Sequence, residues 1–202
     1  MRKKNPSFPD LFLLLVAINV VLISAATYFY NGGYIGLFHY FSFVGEFRTQ
    51  TGSSNLLSMT IFGLDMVITG LLLLVFAQRY FHRFGPKVAL FKSINCSLAG
   101  LGFIFTGVFP DDINHRWHVF GAGMAIAFLW LAATGYLIEN RKKVKPAVYY
   151  SVQSALQIPI AVYAGTYFMR IEPTSFILQK LALFGLSIAL VSTHFIKTRR
   201  VA

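Results

Sequence analysis

Asp111, Asp112, His115 and His118 fall within one stretch, GVFPDDINHRWHVFGAG, which covers residues 107–123 between two long apolar runs. Carboxylates beside imidazoles are the side chains of proton transfer and of metal binding. Residues three apart share a helix face, so His115 and His118 can present their rings together while Asp111 or Asp112 reaches back across the turn. Two imidazoles and one carboxylate, His115, His118 and Asp111, make a ligand set for zinc that leaves a position open for water. Without a metal, Asp111, Asp112, His115 and His118 are candidate catalytic acids and bases, a carboxylate holding one histidine in one tautomer.

The same residues suit a plain turn between two helices. Asp, Asn and Pro favour turns. Asp112 or Asn114 can cap the helix that follows, and an acid suits the positive end of its dipole. Arg116, Trp117 and His118 are then contacts for lipid headgroups at the membrane interface. His-x-x-His alone is far less specific than a full zinc motif, and the chain has no Walker loop, dinucleotide fingerprint, nucleophile elbow or His-Glu-x-x-His.

The elements around this stretch follow from its solvent. Of 202 residues, 56% are hydrophobic and 12% charged, about half the charge of a soluble domain, and the mean hydropathy is +0.62. Crossing a bilayer core takes about 20 helical residues. Six runs are that long, at about 11–30, 55–77, 87–109, 117–138, 147–169 and 176–196. These predict an all-α polytopic membrane protein, a single domain of six transmembrane helices in one bundle. The first run also has the basic start and small residues of a signal peptide. Its length and its closing Tyr28-Phe29-Tyr30 favour a retained span.

The net charge of +11 would suggest nucleic acid in a soluble chain. Here the basic residues stand at the ends of apolar runs, which argues for membrane lipids as partners and against nucleic acid. Thirteen of the 18 fall on one side: Arg2, Lys3, Lys4, Arg79, Arg83, Lys87, Arg141, Lys142, Lys143, Lys145, Lys197, Arg199 and Arg200. Arg48, Arg116 and Arg170 fall on the other, and Lys92 and Lys180 lie near span ends where they can snorkel. By the positive-inside rule both termini are cytoplasmic, in the cell membrane, and the 110–116 turn faces out. Pro110 ends the third span. The single cysteine, Cys96, excludes an internal disulfide framework.

The aromatic connection 31–54 is predicted to lie on the outer surface or cap the bundle, where His39 can join His115 and His118. Asp65 lies ten residues into the second run, about 15 Å deep. Gln157, at similar depth in the fifth run, is a candidate partner, with Gln153 one turn away; Asn95 or a backbone carbonyl are the alternatives. A carboxyl there is either neutral and hydrogen bonded as helix glue or part of a proton or solute pathway. Gly100, Gly102, Gly121 and Gly123 are expected to admit close helix approach.

Two elements together resemble the prokaryotic membrane family labelled domain of unknown function 998, itself similar in outline to the Frag/DRAM/Sfk six-span group. One is Asn55-Leu56-Leu57-Ser58 leading to Phe62, Gly63, Gly70 and Leu71. The other is Gly107-x-Phe109-Pro110-Asp111 followed by His115 or His118 and Gly121-Ala122. The resemblance covers mainly the second to fourth spans and implies lipid-facing work without a defined activity.

Three readings follow. The first is a non-catalytic, lipid-interacting membrane protein whose outer polar pocket draws on His39, Arg116 and Trp117, with Asp65 and Gln157 as further binding residues. The second is an intramembrane hydrolase or lipid-remodelling enzyme, with zinc as cofactor, acting near the outer interface through Asp111, His115 and His118. The third is a small transporter or channel subunit with Asp65 in its pathway.

Overall fold

The computed structural model describes residues 8–34, 39–81, 86–169 and 175–198. Arg2, Lys3, Lys4, Arg83, Arg170, Arg199 and Arg200, on which part of the charge pattern rests, lie outside the described residues.

Among the described residues six α-helices run in chain order: α1 Phe8–Tyr28, α2 Leu56–Phe81, α3 Pro86–Val108, α4 His115–Glu139, α5 Pro146–Phe168 and α6 Ser175–Thr198. Short 3-10 turns lie at Phe41–Gly45 and Arg141–Lys143. Among the described residues there is no strand, only an isolated antiparallel bridge between Arg48 and Ser54. Proline opens α3 and α5, where its missing N–H has no helical acceptor to lose. Asn55 and Asn114 precede α2 and α4, and their carbonyls accept the first helical bonds, from Met59 N at 3.0 Å and His118 N at 3.1 Å.

Among the described residues five stretches are long and apolar enough to cross a membrane: Asp10–Tyr28, Leu56–Arg79, Leu90–Val108, His115–Lys143 and Phe176–Ile196. The sixth expected run, 147–169, forms α5, which has the length but not the hydropathy. Tyr149, Tyr150, Ser151, Gln153, Ser154 and Gln157 dilute its first half.

Contacts divide the chain into two compact units, residues 18–132 and residues 1–17 with 133–202. In the first, α2 packs along α3 with glycine facing glycine. A Cβ on Gly70 would lie 2.5 Å from the Gly100 carbonyl oxygen, and one on Gly107 2.7 Å from that of Gly63. Gly102 meets Gly121 and Ala125 of α4 in the same way, whereas Gly123 faces open space. In the second unit α5 packs on α6, with Gly185 against the Ala155 carbonyl. Such backbone contact suits helices in lipid, where apolar surface alone gives no drive to associate.

The sides of α2 confirm the solvent's character. Leu56, Leu57, Leu64, Ile68, Leu71 and Val75 are exposed, while Ser58, Asp65 and Thr69 are buried with Phe62, Met66 and Leu73. Apolar residues outside and polar ones within is the reverse of a water-soluble helix.

Candidate functional site at the outer turn

The turn joining α3 to α4 is closed by Ile113 N and Asn114 N donating to the Pro110 carbonyl at 3.1 and 2.9 Å. Facing it is a small hairpin. Thr49 N donates to Ser53 O at 2.9 Å, Asn55 N to Phe47 O at 2.9 Å, and Gly52 N to Thr49 O at 2.8 Å. Gly52 holds φ at +83°, a left-handed conformation that glycine adopts without a Cβ penalty.

Asp112 joins the two segments. Its Oδ1 accepts from Phe47 N and its Oδ2 from Arg48 N, both at 2.9 Å. A carboxylate on two successive amides forms charge-assisted bonds at each oxygen. The expected capping role for Asp112 is therefore replaced by a tertiary one.

Other bonds hold the hairpin to α1 and α2. Asn31 Nδ2 donates to Ser54 O at 3.2 Å, and Asn55 Nδ2 to Glu46 O at 3.0 Å and Val44 O at 3.3 Å. The Ser58 hydroxyl is shared between the carbonyls of Ala26 and Val44, each at 2.8 Å. His39 packs among the rings of Tyr30, Tyr34 and Phe43 at centroid distances of 5.5 to 6.0 Å. Burial pushes the Tyr34 phenol up to about 12, so it stays a neutral donor, to the carbonyls of His39 and Tyr40. His39 thus belongs to the core of the loop.

The two histidines have separate roles. His115 Nδ1 bonds Asp111 Oδ1 at 2.7 Å, with side-chain exposures of 73% and 16%. His118 is buried, and its Nδ1 lies 2.8 Å from the Phe109 carbonyl oxygen. A carbonyl only accepts, so that nitrogen carries the proton. It satisfies a helix-end carbonyl that would otherwise lack a partner.

His115 and His118 are three apart, but one is at the exposed start of α4 and the other turned onto α3. Among the described residues no three His, Cys, Asp or Glu side chains form a group that could hold a metal. The expected zinc set of Asp111, His115 and His118 does not assemble.

Glu46 is a site residue that sequence reasoning did not single out. It is buried, and its Oε2 accepts from Gln50 Nε2 at 2.7 Å. Burial pushes its carboxyl up to about 7; the Gln50 bond opposes this, and the Asp112 and Asp111 charges add to it. The one available signal was a lone acid in the otherwise aromatic, uncharged segment 31–47.

Arg48 and Arg116 are both exposed. Phe105, Phe109, Trp117 and Phe120 form a ring cluster with centroids 5.6 to 6.3 Å apart, and Trp117 and Phe120 are about half exposed.

Asp65 and Gln157, expected to pair, belong to different compact units. Within its own unit Gln157 Nε2 donates to Thr134 Oγ1 at 3.1 Å and Gln153 Oε1 at 3.0 Å, and neither Asp65 oxygen has a hydrogen bond. A further pair joins α1 to α6, where His194 Nδ1 lies 3.2 Å from Asp10 Oδ1, near enough for an ion pair but off the hydrogen-bond direction.

The helices and their apolar lengths define the class: an all-helical, multi-pass, membrane-embedded protein. No protein-family model, no curated protein and no solved structure matches the chain.

Proposed function

We propose that this is an integral protein of the cell membrane with six spans in one bundle and both termini cytoplasmic. Its outer assembly of Glu46, Arg48, Asp111, Asp112, His115 and Arg116 binds polar lipid headgroups without turning them over. Kinship with the domain of unknown function 998 family and the Frag/DRAM/Sfk group is part of this reading.

The observation that carries it is the Asp112 clamp on Phe47 and Arg48. It holds the exposed Arg48 against a turn that exposes Asp112, His115 and Arg116 and leads into the half-exposed rings of Trp117 and Phe120, charge and aromatic side chains together as expected at headgroup level. For six spans, α5 has 23 residues, about 35 Å of helix. For a single domain, α1 and α4 each run unbroken from one compact unit into the other.

Native mass spectrometry of the detergent-purified chain with phosphatidylethanolamine and phosphatidylglycerol tests the binding. Retained lipid that is lost when Arg48→Gln and Arg116→Gln are combined supports the reading; equal retention in both proteins refutes it. Orientation is tested in a Cys96→Ser background, where Ile113→Cys should react with an impermeant thiol reagent from outside and Lys142→Cys should not.

The Asp111–His115 bond favours a second reading, a hydrolase near the outer interface. The carboxylate orients an exposed imidazole whose Nε2 is free to take a proton. Lipid hydrolysis abolished by His115→Ala would support it over simple binding.

A further inference from the structure

Asp65 is fully buried in α2, 0% exposed, and neither of its oxygens has a hydrogen bond. Its neighbours on the same stripe differ. Ser58, two turns before it, bonds the Ala26 carbonyl of α1. Thr69, one turn after it, accepts from Asn19 Nδ2 of α1 at 2.8 Å. The α1-facing stripe of α2 thus carries three buried polar side chains, of which the two flanking ones are satisfied and the ionisable one is not.

Among the described residues, α1, α3 and the Phe41–Gly45 turn place no opposite charge against it. In the register set by Gly63 against Gly107 and Gly70 against Gly100, Lys92 and Cys96 of α3 lie opposite residues 78 and 74. That puts them about 20 Å and about 14 Å along the helix from Asp65. Residues 18–26 of α1 contain no titratable group, nor does Phe41–Gly45. Glu46, just beyond that turn, is itself an acid.

An unpaired carboxylate in hydrocarbon costs several kcal/mol, so Asp65 holds a proton in this conformation. An acid kept only as helix glue would donate that proton to an acceptor, which Asp65 does not do.

The geometry points to Asp65, backed by Thr69 and Asn19, as an exchangeable proton-binding site within the membrane, the chemistry of a proton-coupled transport step. On release the Asp65 O–H bond breaks and the proton passes to water admitted to the stripe. The carboxylate left behind gains the Thr69 hydroxyl, and then the Asn19 amide, as donors, because hydrogen bonds favour the charged form. The Asn19–Thr69 bond seen here belongs to the protonated state. A proton fits better than a metal ion because the stripe offers few oxygens where a hard cation takes six or more.

Dicyclohexylcarbodiimide, which attacks protonated carboxyls in apolar sites, tests this on the full chain in lipid nanodiscs, with the labelled residue located by peptide mass spectrometry. Asp65 is expected to label at acid pH and to lose at least tenfold of its labelling rate as pH rises. The label should disappear in Asp65→Asn and persist in Asp65→Glu. Thr69→Val should shift the midpoint to higher pH, since the anion loses a donor. Labelling constant across pH identifies a permanently neutral acid and overturns the proposal, as does an unlabelled Asp65 at every pH. Protection by sodium at fixed pH also overturns it, in favour of a metal-cation site. Solubility and melting of Asp65→Asn equal to the parent chain separate loss of the group from loss of the fold.

Discussion

Asp112 holds the amide of Arg48 at 2.9 Å across 64 positions of sequence, and its other oxygen holds the amide before it. Its neighbour Asp111 turns the other way, to His115. Two adjacent acids of one turn thus divide into a tertiary clamp and a partner for an exposed imidazole.

Replacing Asp112 by Ala removes two charge-assisted bonds from a solvent-exposed position. A loss of about 1–2 kcal/mol is expected, toward the lower part of the range for charged hydrogen bonds. Amide exchange at Phe47 and Arg48 should accelerate while α2 and α3 stay protected. Unchanged exchange at both amides would remove the clamp.

His115→Ala and His118→Ala should part company in a thermal unfolding series. The first alters an exposed pair and should change stability by less than about 0.5 kcal/mol. The second leaves the Phe109 carbonyl unpaired beside a cavity, at about 2–3 kcal/mol. Equal effects would contradict the separate roles of the two rings.

Glu46 makes the outer loop pH-dependent. Its folded carboxyl is raised from 4.5 to about 7, so between those values the folded state keeps a proton that the unfolded state has lost. Stability associated with the loop therefore falls as pH rises through this window, by at most about 1.4 kcal/mol per pH unit. Glu46→Gln, neutral throughout, should flatten the profile and melt higher than the parent at pH 8. A parent profile flat from pH 5 to 8 would contradict the buried, proton-holding carboxyl.

Gly70→Ala should lower the unfolding free energy of the detergent-purified protein by about 1–3 kcal/mol, because its Cβ meets the Gly100 backbone and the helices must separate. Gly123→Ala faces open space and should be neutral or stabilising by up to about 1 kcal/mol, the difference in helix propensity. The contrast isolates packing from propensity.

The amino-acid sequence by itself determined the helices and their solvent. Run length, proline positions and basic residues at run ends are local, and hydrocarbon penalises any unpaired backbone group strongly enough for local hydropathy to dictate a helix. Even there α5 needed more than length, since its polar first half leaves it below the hydropathy of the other five. Which side chains meet was decided only by the tertiary structure. The spacing of His115 and His118 suggested a shared site, but the rotation of α4 sends His118 to Phe109 and leaves His115 outside. The depth of Asp65 suggested Gln157, whose amide bonds Thr134 and Gln153 inside its own unit, while the Asp65 oxygens have no hydrogen bond. The Asp112 clamp joins residues 65 and 64 apart in sequence, a separation that no local pattern reports. Periodicity reports which face of a helix is apolar; it carries no information about the angle at which that face meets another.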